Sequence, residues 1–231
     1  MAKIYSYVLR IDDGAAPNPF GRLCTLTICK PAIRRNAQVG DWVIGTGSKK
    51  TKLKNGQEVD FSDSIVYAMK VTGKKTLEEY DDFCKNELTN KIPKWKTNDW
   101  QLRVGDCIYD YSSNNKPTIR KGVHNEGNRQ RDLGGLNSLL SDHFYYFGVE
   151  ARPLPTELKE LIKKNQGHKK IEKVELIKEF EKWISQFKKN KLYADPQMRW
   201  LFDRELSEDE VSACAKEKIE TEEDEKEETV C

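Results

Sequence analysis

Val39-Gly40-Asp41-Trp42-Val43-Ile44-Gly45-Thr46-Gly47-Ser48 is a glycine-aspartate turn feeding an apolar, β-branched run. The pattern returns 65 residues later in Val104-Gly105-Asp106-Cys107-Ile108-Tyr109-Asp110-Tyr111-Ser112-Ser113, which matches at the Val-Gly-Asp, at the β-branched position two beyond the aspartate, and at the final serine. Glycine tolerates positive φ and the aspartate carboxylate bonds nearby backbone, so the pair makes a tight turn. A Gly-Asp turn delivering a strand is a habit of small β-barrels, and the repeat reads as convergent barrel geometry, not as a duplicated domain.

Working outward, Ile4 to Ile11 alternates Tyr5, Tyr7, Leu9 and Ile11 against Ser6, Val8 and Arg10, which predicts a strand with one buried face. Leu23 to Cys29 is a second β-rich run, ended by Lys30-Pro31, with a short turn or helix over Ala32 to Asn36 behind it. Ser64 to Val71 is a further strand, preceded by an Asn55-Gly56 turn signal. Leu77 to Asn86 has the spacing of a short amphipathic helix, and Leu136 to Phe147 reads as one core strand. Trp95 and Trp100 lie in a lysine-rich loop, suited either to base stacking or to capping the core.

Pro153 and Pro155 mark a change of character. Thr156 is placed to cap a helix over Glu157 to Lys164, and a longer amphipathic helix is predicted from Ile171 to Lys189, with Ile171, Val174, Ile177, Ile184 and Phe187 as its buried stripe. The expected fold class is therefore α+β, a mixed β-barrel with packed C-terminal helices. It divides into a barrel domain over 1–152, a helical extension over 153–204, and an acidic, disordered tail over 205–231.

Glu205 to Cys231 carries 12 acidic and 3 basic residues, net −9, which leaves +11 on Met1 to Arg204 although the whole chain carries only +2. A basic body suits a polyanionic partner and is also common in domains with no such partner. The six cysteines, Cys24, Cys29, Cys84, Cys107, Cys214 and Cys231, contain no C-x-x-C pair and no zinc-finger spacing with histidine, so neither a metal nor another cofactor is expected. They read as reduced thiols of a cytoplasmic protein. The N-terminus lacks the long apolar core of a signal peptide, and no stretch approaches the roughly 18 apolar residues of a membrane span, so no membrane partner is expected.

Three histidines are present, each beside a turn signal. His124 opens the loop His124-Asn125-Glu126-Gly127-Asn128-Arg129-Gln130-Arg131-Asp132, His143 precedes the aromatic run Phe144 to Phe147, and His168 follows Gly167. Satisfied core packing is the reading for His143, whereas His124 and His168 are candidates for acid–base or phosphate chemistry. His124, Arg129 and Asp132 together can orient an anion and move a proton. Gly45-Thr46-Gly47-Ser48-Lys49-Lys50 lacks the spacing of a phosphate loop, and no Gly-x-Ser-x-Gly, His-Glu-x-x-His or kinase set is present, which removes several large enzyme classes.

The stretch Tyr7-Val8-Leu9-Arg10-Ile11-Asp12-Asp13-Gly14-Ala15-Ala16-Pro17-Asn18-Pro19-Phe20, the two Gly-Asp turns, the His124 to Asp132 loop and Leu139-Leu140-Ser141-Asp142-His143-Phe144-Tyr145-Tyr146-Phe147-Gly148 form a combined pattern. It resembles the second of the nucleotide-modification-associated domain families of bacteria and their phages, over about Ile4 to Trp183. The Gly-Asp strand followed by Ile65-Val66-Tyr67-Ala68-Met69-Lys70-Val71 is also similar to the barrels of the PUA, ASCH and EVE superfamily. These resemblances imply a PUA-like barrel and a nucleotide, or a modified base in nucleic acid, as partner.

On that basis Tyr109, Tyr111 and Trp42 are expected to stack on a base, Lys121, Arg129, Arg131 and His168 to hold phosphate, and Asn128 and Asp132 to read a base edge. The alternative is a hydrolase or base-modifying enzyme acting on a modified nucleotide, with His124 as acid or base and Asp132 orienting it. A third reading is an interaction module whose acidic tail competes with nucleic acid for the basic body. The sequence leaves the oligomeric state open.

Overall fold

The computed structural model describes residues 2–113, 116–165, 167–203 and 227–230. In chain order its elements are β1 (Ile4–Val8), β2 (Cys24–Leu26), α1 (Pro31–Asn36), β3 (Trp42–Thr46), β4 (Thr51–Lys52), β5 (Glu58–Val59), β6 (Ser64–Lys70), β7 (Gly73–Thr76) and α2 (Leu77–Glu87). After these come α3 (Trp100–Arg103), β8 (Tyr109–Asp110), β9 (Thr118–Ile119), α4 (Arg129–Leu133), β10 (Asn137–Ser141) and β11 (His143–Tyr146). The chain continues through β12 (Arg152–Pro153), β13 (His168–Ile171), α5 (Val174–Ile184), β14 (Lys191–Leu192) and β15 (Glu227–Val230).

The fold is α+β, built on one large mixed sheet in the order β14-β11-β6-β3-β1-β13-β15, with β12 also paired to β6. β1 runs parallel to β3, with Ile4 opposite Trp42, and antiparallel to β13, with Tyr7 opposite His168. A second, three-stranded antiparallel sheet has the order β2-β10-β7. Neither sheet closes on itself among the described residues, so the expected barrel gives way to two open sheets. The reason lies in the repeated Val-Gly-Asp. At the first copy Gly40 has φ +97° and the Asp41 carboxylate accepts the backbone N–H of Lys3 and of Gln38, each at 2.9 Å, which delivers β3 beside β1. At the second copy the buried Asp106 instead accepts from the hydroxyls of Thr25, Thr27 and Tyr80, and only the two-residue β8 follows, paired to β9. The same tripeptide makes a strand entry in one place and a buried polar hub in the other.

Apolar layers cover both faces of the large sheet. On one, Ile4, Trp42, Ile44 and Phe147 pack with Leu176, Ile177, Phe180 and Ile184 of α5. Burying four side chains of that size contributes on the order of 6–12 kcal/mol before entropy, which holds a helix too short to persist alone. On the other face Tyr5, Tyr7, Tyr67 and Met69 meet Cys24 and Leu26 of β2, Leu139 of β10 and Ile33 of α1. β1 therefore has two buried faces where its alternation predicts one: Ile4 through Tyr7 are all buried. A third cluster, including Ile28, Ile108, Tyr109, Val123 and Phe202, lies under the loops.

Other elements depart from expectation for identifiable reasons. The run Leu136 to Phe147 is two strands in two sheets, because the Ser141 hydroxyl donates to the Lys70 carbonyl and accepts from the His143 N–H, breaking the run at Asp142. The stretch expected as a helix from Ile171 starts at Val174, since Ile171 belongs to β13. Glu157 to Lys164 forms a 3-10 turn over Thr156–Leu161 with Leu158 and Leu161 buried. Residues 153–203 thus supply two sheet strands, β13 and β14, as well as α5. Arg199–Phe202 forms a 3-10 turn with Phe202 buried against Trp95. Most of the acidic tail lies outside the described residues; its segment Glu227–Val230 pairs in parallel with β13. No helix among the described residues is long and apolar enough to cross a membrane.

Candidate active site

Cys29 ends the apolar run that includes β2, and its backbone has φ +57°, followed by Lys30 at +40°. A side-chain-bearing residue in the left-handed region costs of order 1–3 kcal/mol, and such conformations gather at functional sites. Two in succession turn the chain sharply, and Pro31, with its φ fixed by the ring, starts α1 directly behind them. The turn is held from outside as well. Arg34 Nε donates to the Cys29 carbonyl at 2.7 Å, and the Cys29 N–H donates to Asp132 Oδ1 at 2.9 Å.

The loop His124 to Asp132 folds by local rules that bring its two ends together. The Asn125 side chain accepts the Gly127 N–H at 2.9 Å while Asn128 Oδ1 accepts the Asn125 N–H at 3.0 Å, a reciprocal cap that starts a 3-10 turn over Glu126–Asn128 and then α4. One and a half turns later Asp132 returns to face His124. The His124 Nδ1–H donates to Asp132 Oδ2 at 2.6 Å, and the other ring nitrogen, Nε2, stands 3.5 Å from Cys29 Sγ. Sulfur, imidazole and carboxylate form a line of nucleophile, base and orienting acid, the geometry that nucleophilic catalysis requires.

The electrostatics agree with that geometry. Burial alone would lower the His124 pKa, but the Asp132 carboxylate and the Cys29 sulfur overrule it and hold the imidazole up to about 10. Burial would likewise raise Asp132, and the His124 and Arg34 cations with the Cys29 N–H bring it below its ordinary value. Asp132 Oδ2 also accepts the Tyr109 hydroxyl at 3.0 Å, and Arg131 Nη2 lies 3.9 Å from Cys29 Sγ. A cationic imidazole with an arginine beside it is the environment that stabilises a thiolate. Cys29 is 9% exposed, against 0% for Cys24 and Cys84 and 2% for Cys107, so it is the most accessible of the four described thiols, none of which is in a disulfide.

The ligand atoms of Cys29, His124 and Asp132 all lie within 4.8 Å of one another, close enough to raise the question of a metal. Both Asp132 oxygens already accept hydrogen bonds, and His124 Nδ1 is committed to one of them. That leaves at most Cys29 Sγ and His124 Nε2, which already face each other, two short of a tetrahedral zinc site. The donor set fits a triad better than a metal.

Of the residues expected to act, His124 and Asp132 adjoin, and Tyr109 and Arg131 flank them. Asn128 is buried and engaged in the cap. Arg129 lies over the Tyr109 ring at 5.8 Å and binds Glu126 through two nitrogens. Lys121 is exposed and Tyr111 half-buried. The stacking role expected of Trp42 meets an obstacle: it is 1% exposed, packed against His143, Tyr145 and Phe180, with its indole N–H given to Glu181. His168 likewise sits inside β13, buried beside the Tyr5 ring, and not in a phosphate-binding turn. Sequence reasoning missed Cys29, which it weighed only as a metal or disulfide partner; the signal was a cysteine ending an apolar run immediately before Lys-Pro and a short helix. A family model described as nucleotide modification associated domain 2 matches residues 1–204. No curated protein and no solved structure matches the chain.

Proposed function

The chain belongs to the nucleotide modification associated domain 2 family, and from that premise we propose that it is a thiol-nucleophile enzyme acting on a nucleotide or a modified base. The observation that carries this reading is the line from Cys29 Sγ to His124 Nε2 at 3.5 Å and from His124 Nδ1 to Asp132 Oδ2 at 2.6 Å. Such a set performs acyl transfer. The Cys29 thiolate attacks the acyl carbon of an amide, a C–S bond forms, the C–N bond breaks, and the leaving amine takes its proton from the His124 imidazolium. Water then gives a proton to His124 as it attacks the thioester, and the acid leaves with Cys29 restored to its thiolate. Asp132 fixes the ring and stabilises its charge throughout.

Lys121 and Arg129 are the cations we assign to phosphate, with Arg129 exchanging Glu126 for the ligand. Tyr111, half-buried next to Tyr109, is the aromatic face left for a base. A kinship to PUA-like barrels adds nothing to this reading, which rests on the triad. A base reader that leaves its ligand unchanged is the lesser alternative, since recognition alone does not call for a charged Cys–His–Asp line.

Alkylation with iodoacetamide, mapped by peptide mass spectrometry, tests the activated thiol. Cys29 should react at pH 6, where an ordinary thiol of pKa about 8.5 is almost wholly protonated. His124→Ala should slow that reaction by about 10-fold or more at pH 6 and much less at pH 9. Equal rates in the two proteins at pH 6, or no reaction at Cys29, would sink the proposal.

A further inference from the structure

Asp12 and Asp13 are both buried carboxyls in the loop after β1, and they are used differently. Asp12 is spent on structure: the Tyr146 hydroxyl donates to its Oδ1, and the Gln197 N–H donates to its Oδ2 at 3.0 Å. Asp13 is 3% exposed, and its Oδ1 accepts the Ala15 N–H at 3.0 Å. Its Oδ2 is buried with no hydrogen-bond partner at all. A buried carboxylate oxygen left without a donor is destabilising and calls for an explanation. Ala15, whose N–H Asp13 holds, packs in one buried cluster with Ile28 and Val123, the chain neighbours of Cys29 and His124, and with Tyr109, which bonds Asp132; the charges of Cys29 and His124 also reach the Asp13 carboxyl, so the orphaned acceptor lies on the triad's side of the core.

We infer that Asp13 Oδ2 is the substrate anchor of this site, accepting an N–H from a primary amino group of the substrate next to the bond that Cys29 attacks. The inference rests on the triad reading and narrows its substrate class to acyl compounds that bear a free amine. Burial pushes the Asp13 carboxyl up to about 6, so it is ionised at pH 7.5 and favours a donor over an acceptor. One free oxygen matches a single amino group, either an exocyclic amine of a nucleobase or an aliphatic ammonium, and not the two parallel donors that a guanidinium presents. Arg34 and Arg131 both reach Cys29, so selection for an amine beside these cations has to come from one local carboxylate, and its removal has a specific signature.

The experiment measures modification of Cys29 at pH 7.5 by two methanethiosulfonates of similar size, one carrying an ammonium group and one neutral. The ratio of their rates should be about 10-fold higher in the wild type than in Asp13→Asn, whose side-chain oxygen can still accept from Ala15. An unchanged ratio, with Cys29 still reactive, overturns the role of Asp13 and leaves the triad standing; loss of selective Cys29 modification in the wild type overturns the triad itself. A second arm needs no variant. Cytidine against uridine, and butylamine against butanol, are compared as protectants of wild-type Cys29 from iodoacetamide. Protection by one amine of a pair and not by its oxygen counterpart supports the inference and tells a nucleobase amine from an aliphatic one. Equal protection within both pairs, or none by any of the four, overturns it.

Discussion

At the scale of single residues, the pairing of His124 with Asp132 ties chemistry to stability. His124 has a folded pKa of about 10 against about 6.5 unfolded, so the pair's contribution is fully present below pH 6.5 and is lost as pH rises through about 10. Denaturant melts across pH 6 to 10 should therefore show stability falling over that window, and Asp132→Asn should be less stable at pH 6 with a flatter decline. A profile in the variant as steep as in the wild type would mean that this ion pair does not set the slope. The candidacy of these two residues was legible from the sequence, because histidine and aspartate lie eight positions apart in one polar loop. Cys29 was harder to read, because its partners lie 95 and 103 residues away and the one local signal, its place just before Lys30-Pro31 and a short helix, says nothing of a histidine. The orphaned oxygen of Asp13 was equally hidden, since Asp12 and Asp13 look alike until Tyr146 and the Gln197 N–H claim one of them.

At the scale of elements, Arg34 of α1 is the clamp between the Cys29 turn and the Asp132 helix. It is fully buried and donates to the carbonyls of Cys29, Asn137 and Asp132. Gly135 makes room for it: a Cβ there would lie 2.1 Å from Arg34 Cζ. Gly135→Ala must displace the guanidinium and leave carbonyls unpaired, and should cost about 2–4 kcal/mol in denaturant unfolding while lowering Cys29 reactivity at pH 6. A variant with unchanged stability and unchanged thiol reactivity would show that the clamp is dispensable. The elements most legible in the sequence were those with a local cause. α2 is one, beginning at the Thr76–Glu79 capping box and running to Glu87 against an expected Leu77 to Asn86. Ser64–Lys70 is another, apolar on both faces because it lies inside the large sheet. The boundaries that failed, at Asp142 and at Ile171, are set by strand partners remote in the chain, through Lys70 for the first and β1 for the second.

At the scale of the whole molecule, the large sheet is the plate on which the parts are mounted. α5 closes one face, and the three-stranded sheet with α1 closes the other, so the Cys29 turn between β2 and α1, and with it the His124 to Asp132 loop that it meets, is carried on that second side. The α+β class followed from mixed strand and helix signals, whereas closure into a barrel depends on which strand meets which, information that a repeated Val-Gly-Asp does not hold. The charge asymmetry between a basic body and an acidic tail fits a nucleotide partner without selecting a reaction. Wild type, Cys29→Ala and His124→Ala are incubated with a panel of modified and unmodified nucleotides and oligonucleotides, including amide-linked and amine-bearing bases, and mass spectrometry records new products and adducts on the protein together. The wild type should give a new product mass, with a transient acyl adduct mapped to Cys29, and Cys29→Ala should lose both. A ligand retained unaltered by the wild type, or a product made equally well by Cys29→Ala, would contradict it.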